Sequence, residues 1–420
     1  MRISYNEINK NKILILSIIF MIALTLRLIS VVLFPQFAWD SGEYTSLAHN
    51  ILANQNFTFD GRMPVDSRAP LYPAFIAGIY YFAGESNFAV RIIQSLIDTI
   101  TCFYIYFIAL VFWESILVAI IAALIASLYP SLIGSTTFIL SETLSVHLLT
   151  GSILSFIYAL KIKKYRYFLL SGIILGLATL CRPVTFLYPF ILALIFAPFS
   201  YKNKNLMRGL FVFVICFVLT LLPWILRNAY HFKRFIPVSS NVGGNLWIGS
   251  YEPWNGSYHP DIMKIRSDIG SKLYKGKIGH FYVDDHLKRD ALERIIKDPL
   301  VYLKLCVKKT LQFWGRIPGE IAILDGRPFI KLLIYLHHYS MLILFITGVI
   351  MIIHAHRINL MHIVPLSLIV YVTGIHAALV ALPRYRIPII PMLIIFISYG
   401  SFHILACLFK DKVSNTSRAL

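Results

Sequence analysis

Long apolar stretches recur along the whole chain, separated by short polar segments. Stretches of spanning length begin near residues 13, 87, 115, 136, 167, 183, 207, 329, 359 and 386. Each runs for about 16–25 residues, against the ~20 that a bilayer requires. This pattern predicts about ten transmembrane helices. Two of the stretches, 167–181 and 183–198, are short and meet at Arg182-Pro183.

A different periodicity follows the first apolar stretch, in the segment AWDSGEYTSLAHNIL (38–52). Its apolar residues are Tyr44, Leu47, Ala48, Ile51 and Leu52. Their spacing of three and four residues predicts an amphipathic helix with one apolar stripe. Asp40 and Glu43 precede this stripe, three residues apart. One interpretation is a capping box that starts the helix; the alternative is that the acids do chemistry.

Composition agrees with the apolar pattern. The chain has 420 residues, of which 58% are hydrophobic and 14% charged, with a mean hydropathy of +0.71. These values indicate an integral membrane protein. We therefore predict an all-α polytopic membrane protein with interfacial helices on its outer face and an outer-loop domain of mixed structure. The five cysteines have no metal-ligand spacing, so they indicate neither a disulfide framework nor a metal site.

Charge predicts the orientation of the helices. Basic residues concentrate in 161–166, in 202–208 and near both termini, and short loops rich in Lys and Arg face the cytoplasm. We expect both termini to be cytoplasmic and the protein to be a multi-pass component of the plasma (inner) membrane. The loops of the opposite face then lie on the periplasmic or extracytoplasmic side.

The polar segments divide the chain into three predicted parts. These are an N-terminal catalytic transmembrane module (1–226) with its first outer loop (36–86), an outer domain (227–328) and a C-terminal helical part (329–420). The outer domain has 17 Lys and Arg against 10 Asp and Glu by direct count. With a net charge of +19, this favours an anionic substrate or lipid headgroups as partners, and nucleic acid is not expected.

Charged residues also recur at the predicted outer helix ends. The acids there are Asp40, Glu43 and Glu142, and the arginines are Arg68, Arg91, Arg182, Arg227, Arg384 and Arg386. Carboxylates and guanidinium groups on one membrane face suit a reaction on a lipid-linked phosphate. In the stretch ALPRYRIPIIP (381–391), the prolines predict an extended or turned backbone that points both arginines the same way. The two side chains would then clamp a phosphate, unless they only reach toward lipid headgroups.

Charges inside the predicted spans need partners. Arg27 and Asp98 each lie within a span, where an unpaired charge costs ~2.5–3.5 kcal/mol. We predict a structural ion pair of Asp98 with either Arg27 or Arg91. His147 is interpreted as a histidine that is hydrogen-bonded between helices.

Several blocks of the sequence resemble a known family. They are Asp40 after the first span, the helix with Tyr44, RAPLYPAF (68–75), AVRIIQSLID (89–98), GLATLCRP (176–183), LPWILRN (222–228) and NVGGNLWIG (241–249). Their order is similar to that in the GT-C glycosyltransferases of the protein-mannosyltransferase and aminoarabinose-transferase type. The family has an Asp-Glu pair after the first span. Here Ser41-Gly42 separates Asp40 from Glu43, which puts the role of Glu43 in question.

The resemblance implies an inverting transfer of a sugar from a polyprenyl-phosphate donor to a lipid, glycan or protein acceptor on the outer face. It makes Asp40 the catalytic base, with Glu43 and Glu142 as further catalytic candidates. Candidate substrate-binding residues are Tyr44, Arg68, Arg182, Arg227, Asn245, Trp247, Arg384 and Arg386. A divalent metal ion is compatible with this chemistry, and its candidate ligands are Asp40, Glu43 and Glu142.

Two other functions remain open from the sequence. A flippase or transporter of lipid-linked sugars is also polytopic and basic, although transporters place their sites near the bilayer midplane. An O-antigen polymerase or ligase is the second alternative. The segment 241–258, which holds Asn245 and Trp247, is rich in Gly, Asn and aromatic residues, with no strand evident before it and no helix after it. It is interpreted either as an irregular loop beside the membrane or, as the resemblance implies, as an aromatic and amide wall for a sugar. In contrast, 284–298 is predicted to form a charged amphipathic helix.

Overall fold

The structure is a computed structural model that describes residues 5–201, 203–259, 261–273, 279–317, 328–355 and 358–416. Over these ranges the chain forms α-helices and short 3-10 turns, with two isolated β-bridges and no strand. Parts of the predicted basic ends (1–4, 202 and 417–420) and of the predicted outer domain (260, 274–278 and 318–327) lie outside the described residues.

The α-helices are numbered in chain order. They are α1 Tyr5–Leu33, α2 Trp39–Asn54, α3 Leu71–Ala83, α4 Asn87–Trp113, α5 Ile116–Leu128, α6 Pro130–Ser135, α7 Glu142–Ile162, α8 Tyr165–Cys181, α9 Tyr188–Ser200, α10 Lys204–Phe232, α11 Val242–Gly249, α12 Asp261–Leu273, α13 Phe281–Lys297, α14 Pro299–Gly315, α15 Pro328–His354, α16 Leu360–Ala378 and α17 Ile390–Thr416.

The apolar stretches of the sequence are helical, as predicted. Within the described ranges, eight stretches are long and apolar enough to cross a membrane: Lys12–Leu33, Asn87–Trp113, Glu142–Ile162, Pro183–Ser200, Lys204–Phe232, Pro328–His354, Leu360–Ala378 and Pro383–Cys407. The two other predicted spans correspond to α5 and α8, which are apolar but have only 13 and 17 residues. At 1.5 Å per residue, α5 is about 20 Å long, shorter than the ~30 Å apolar core of a bilayer.

The two charges predicted inside the spans pair with each other. Arg27 Nε lies 2.5 Å from Asp98 Oδ2, which confirms the predicted ion pair and selects Arg27 as the partner. Arg91 instead donates to the carbonyl oxygens of Gln36 and Thr137, at 2.9 and 2.8 Å. It thereby ties the start of the first outer loop to the segment before α7. As predicted, a histidine joins two helices: His147 Nδ1 lies 3.0 Å from the hydroxyl of Thr101.

The start of α2 differs from a capping box formed by the two acids. The N-cap residue is Ala38, and its N–H donates to Ser41 Oγ at 3.0 Å. Asp40 is the second helical residue, so its side chain is past the position from which it could accept the first free amides. The capping interpretation is therefore wrong, because Ser41 performs the local role and leaves Asp40 and Glu43 available for other contacts.

Helices α2 and α3 lie on one side of the bundle, which we call the loop side. On this side a helical layer formed by α11, α13 and α14 covers the bundle. The prediction of an irregular loop at 241–258 is wrong over Val242–Gly249, because these residues form helix α11. Tertiary contacts stabilise this helix: the Asp284 carboxylate accepts from the amides of Gly243 and Gly244, at 3.0 and 2.8 Å. A Cβ at Gly243 would lie 2.0 Å from the Asp284 carbonyl oxygen. The predicted helix at 284–298 is present as α13.

Candidate functional site

A cavity of about 350 Å³ lies on the loop side, where the ends of several helices meet. Its walls come from α2, the loop before α3, the start of α7, the end of α8, α11 and the connection between α16 and α17. The charged residues that line it are Asp40, Arg68, Glu142, Arg182 and Arg384. Five predicted site residues, distant in sequence, therefore meet in one place. Tyr44 and Asn245 line the same cavity.

Asp40 lies between two arginines. Its Oδ1 is 2.8 Å from Arg68 Nη2, and its Oδ2 is 3.1 Å from Arg384 Nη2. Burial alone would raise the pKa of the Asp40 carboxyl, but the attraction of Arg68 and then of Arg384 outweighs it and lowers the pKa. Asp40 is thus ionised at neutral pH, and both of its oxygens are held by cations.

Glu43 contributes indirectly. Its carboxylate accepts from Arg68 Nε, so Arg68 bridges Glu43 and Asp40 through two different nitrogens. The Arg68 guanidinium also lies 5.5 Å from the centre of the Tyr44 ring. Glu43 itself does not line the cavity. Its displacement from Asp40 in sequence, one helical turn along α2, is what allows one arginine to bind both acids.

A second ion pair forms another part of the cavity wall. Glu142 Oε1 lies 2.7 Å from Arg182 Nη1, and the Glu142 side chain is nearly fully buried. Arg182 also donates to Ser141 Oγ at 3.3 Å, and the Tyr44 hydroxyl lies 3.5 Å from the same oxygen. The other carboxylate oxygen of Glu142 has no hydrogen-bond partner among the described residues. This second oxygen is buried, so the wall holds a carboxylate that is only partly paired, beside a cation.

Arg384 and Arg386 do not point the same way. Pro383–Ile389 is a 3-10 helix, so residues two apart are turned by roughly 240° about the helix axis rather than aligned as in an extended chain. Arg384 lines the cavity, whereas Arg386 is buried and donates to carbonyl oxygens at the end of α14, those of Phe313, Trp314 and Arg316. The predicted two-arginine clamp is geometrically wrong, and only Arg384 faces the cavity.

Two further predicted residues lie outside the cavity lining. Arg227 donates to the carbonyl oxygens of Val65 and Phe57, at 2.8 and 3.3 Å, and so supports the loop that carries Arg68. Trp247 is buried in the helical layer, where its indole N–H donates to the carboxylate of Asp290. Both residues hold the walls in place.

Sequence reasoning missed Asp66 and Lys309. The buried Asp66 carboxylate accepts from the amides of His280 and Phe281, at 2.8 and 2.9 Å, and fastens the Arg68 loop to the start of α13. Lys309 is fully buried and donates to three backbone carbonyl oxygens, those of Gly249, Ala378 and Leu379. Neither residue stands in a motif, so no signal in the sequence separates it from its exposed neighbours.

The candidate metal ligands do not form a metal site as they are placed. In the described ranges no three His, Cys, Asp or Glu side chains come close enough together to hold an ion. Asp40, Glu43 and Glu142 are each paired with a guanidinium group instead. We derive no step of the chemistry from a metal ion.

Solved structures share the fold. The crystal structure of the Archaeoglobus fulgidus oligosaccharyltransferase in complex with Zn and sulfate is 14% identical, with a TM-score of 0.55, over 94% of this chain and 49% of that chain. The same protein tethered with an acceptor peptide containing the NVT sequon is 15% identical, with a TM-score of 0.58, over 95% and 50%. The chain thus spans about half the length of the oligosaccharyltransferase.

ArnT from Cupriavidus metallidurans in the apo state is 10% identical over 91% of this chain and 76% of that chain, with a TM-score of 0.45, too low to compare individual positions. No curated protein sequence matches the chain significantly. The chain is thus a helical membrane protein whose fold is similar to that of the oligosaccharyltransferase, in agreement with the predicted resemblance to GT-C glycosyltransferases. More particularly, residues 67–226 match the family described as Dolichyl-phosphate-mannose-protein mannosyltransferase.

Proposed function

We propose that the protein transfers a sugar from a polyprenyl-phosphate donor to a lipid, glycan or protein acceptor, with inversion at the anomeric carbon. The observation that carries this proposal is the Asp40 carboxylate, held by Arg68 and Arg384 on the wall of a cavity where the ends of several helices meet. The acid supplies a base for an acceptor hydroxyl, and the arginines supply positive charge for a phosphate. The family match over 67–226 supports the same reaction class.

Asp40 acts as the general base. An acceptor hydroxyl becomes a good nucleophile as its proton leaves, and a positioned carboxylate typically contributes ~10²–10⁴ in rate. The O–H proton moves to Asp40 while the hydroxyl oxygen attacks the anomeric carbon and the bond to the phosphate oxygen breaks. A single displacement of this kind inverts the configuration at the carbon.

The arginines link donor binding to the strength of this base. The leaving phosphate departs as an anion that cations stabilise in the transition state. Arg384 binds the phosphate through its planar guanidinium fork and, in turning to it, weakens its contact with Asp40. Because that contact lowers the pKa of Asp40, donor binding raises the pKa and makes Asp40 a stronger base. Arg182, paired with Glu142, supplies a second positive charge.

The proposal includes the orientation of the protein in the membrane and its division into three parts. Because short basic loops favour the cytoplasm, the cavity faces the periplasmic or extracytoplasmic side of the inner membrane and both termini are cytoplasmic. Residues 1–226 form the catalytic module with its outer loop 36–86, residues 227–328 the outer domain, and residues 329–420 the C-terminal helices. Asp66 and Lys309 join the outer domain to the other two parts.

Asp40→Asn tests the proposed base, with Asp60→Asn as the matched control. Asp60 lies in the same loop but is exposed, where it accepts the amides of Arg62 and Met63. The assay measures transfer from radiolabelled polyprenyl-phosphate sugars to extracted envelope acceptors. We expect Asp40→Asn to lose transfer by about 10²-fold or more, with normal membrane insertion, while Asp60→Asn stays active. Near-normal transfer by Asp40→Asn, or sugar movement without any glycosidic product in the wild type, would contradict the proposal.

A further inference from the structure

Helix α14 (Pro299–Gly315) presents apolar residues on two opposite faces, although it is not among the candidate membrane spans of the described residues. One face is buried against the protein and consists of Leu305, Lys309 and Phe313. The other is an exposed stripe that consists of Leu300, Leu303, Val307 and Leu311, which are 69%, 60%, 56% and 68% exposed. These spacings of three and four residues place the whole stripe on one side of the helix.

The buried face attaches α14 to the ends of two candidate spans. Tyr302 donates to the carbonyl oxygen of Ala378 at 2.7 Å, and Lys309 donates to that oxygen and to Leu379 O. Ala378 is the last residue of the span α16. At the other end of α14, Arg386 donates to Trp314 O at 3.1 Å from the segment where the next span begins. The helix therefore lies beside the point where two spans leave the membrane.

Charge on α14 indicates what covers the stripe. The helix contains three lysines and no carboxylate. Lys304 and Lys308 are exposed and follow the stripe residues Leu303 and Val307 by one position. Lys308 also donates to Asn255 at 2.6 Å. An apolar stripe bordered by cations, at the level where spans end, matches a helix that lies in a bilayer interface.

We propose that α14 is an interfacial helix whose stripe of Leu300, Leu303, Val307 and Leu311 inserts into the lipid leaflet on the loop side, with Lys304 at the level of anionic phospholipid headgroups. In this arrangement one face of the helix binds the membrane and the other binds the end of α16. The chain from Leu379 onward leads directly to Val380 and Arg384 of the cavity. The membrane surface thereby positions one wall of the cavity. This inference does not depend on the reaction proposed above.

Spin labels on α14 test the inference in the full-length protein. Leu303→Cys and Val307→Cys are labelled in a background in which the three cysteines that are not buried, Cys216, Cys306 and Cys407, are replaced by Ala. The protein is reconstituted in nanodiscs of phosphatidylethanolamine and phosphatidylglycerol. Accessibility to oxygen, which partitions into lipid, is compared with accessibility to a water-soluble nickel complex. Arg289→Cys on the exposed side of α13 is the matched control.

At 303 and 307 we expect the ratio of oxygen to nickel accessibility to exceed that at 289 by roughly threefold or more, because interfacial apolar faces are buried about 5–10 Å into the leaflet. A ratio equal to the control at both positions would overturn the inference. So would labels that are inaccessible to both reagents, because this result would show that a protein partner covers the stripe.

A charge reversal tests whether Lys304 contacts the anionic lipid headgroups. Lys304→Glu should raise nickel accessibility at the 307 label about twofold in these nanodiscs, because like charges push the helix away from the anionic surface. Lys288→Glu, an exposed charge reversal on α13, should leave it unchanged. The effect of Lys304→Glu should disappear in phosphatidylcholine nanodiscs. Equal effects of the two reversals, or an effect that is independent of lipid charge, would overturn the role of Lys304.

Discussion

Replacing Arg384 by lysine separates phosphate binding from simple positive charge. In the structure Arg384 uses one nitrogen, Nη2, to contact Asp40 at 3.1 Å, and its side chain remains 35% exposed where it lines the cavity. The guanidinium group therefore has donors left for a ligand in the cavity. Lysine keeps the charge but offers a point charge rather than a planar fork that binds two oxygens.

The magnitude follows from the bonds that are lost. If lysine forms one fewer charge-assisted hydrogen bond to the donor phosphate, the loss is ~1.5–3 kcal/mol. Since 1.4 kcal/mol corresponds to a factor of ten, kcat/KM for the polyprenyl-phosphate donor should fall roughly 10- to 150-fold. The assay is initial-rate transfer at varied donor concentration, with acceptor saturating.

Arg386→Lys is the matched control, two residues away in the same 3-10 helix. Arg386 donates its hydrogen bonds to backbone carbonyl oxygens at the end of α14 and does not line the cavity. We expect this variant to unfold at lower temperature, because buried acceptors lose donors, but to retain the donor kinetics of the wild type once folded. The reasoning is refuted if Arg384→Lys leaves donor kcat/KM within about twofold of the wild type. It is also refuted if Arg386→Lys lowers donor kcat/KM as much as Arg384→Lys does.

Three other substitutions test the remaining walls of the cavity. Glu142→Gln keeps the shape of the side chain and removes the charge that pairs with Arg182, so transfer should fall at least about tenfold. A loss under about twofold would assign Glu142 to a structural role, in its ion pair and at the helix N-terminus. Arg68→Gln should move the acid limb of the pH profile of kcat/KM to higher pH. Burial raises the pKa of Asp40 and the attraction of Arg68 lowers it, so without Arg68 the carboxylate is protonated at a higher pH; an unmoved acid limb would exclude Asp40 as the titrating base. Lys309→Met leaves three buried carbonyl oxygens without their donor, which should cost roughly 2–5 kcal/mol of stability in thermal unfolding. Lys308→Met, at the exposed neighbouring position, should cost much less, and equal losses would contradict the role of Lys309.

The sequence pattern predicted the features that depend on neighbouring residues, namely the helices and the presence of a buried charge pair. Apolar stretches of spanning length fold as helices because in lipid each backbone amide needs an internal partner, and the structure has helices in these stretches. The amphipathic pattern of 284–298 correctly predicted helix α13, because a helix with one apolar stripe buries that face and leaves its charged face exposed. The charge pair inside the bundle was also predictable, because an unpaired charge there is costly. Which arginine pairs with Asp98 was not.

Failures occurred where distant contacts override local preference. Val242–Gly249 has no helix signal of its own, yet Asp284, about forty residues later, binds the free amides at its start. Likewise, a Cβ at Gly249 would lie 1.8 Å from Leu379 O, so the requirement for glycine comes from a backbone 130 residues away in sequence. The turn at 383–389 is a 3-10 helix and not extended, and this alone removes Arg386 from the cavity.

By itself, the sequence determined that this is a helical membrane protein and that its acids and arginines gather at helix ends, because hydropathy and charge act on each segment independently. Only the tertiary structure decided which of these residues meet. Asp40 pairs with Arg384, which is 344 positions away in the sequence. Glu142 pairs with Arg182 because α7 packs on α8. Spacing along one helix cannot encode such pairs, since they depend on how every intervening helix crosses the bundle. The same physical reason hides Asp66 and Lys309, whose partners are backbone groups that only the assembled fold brings within reach.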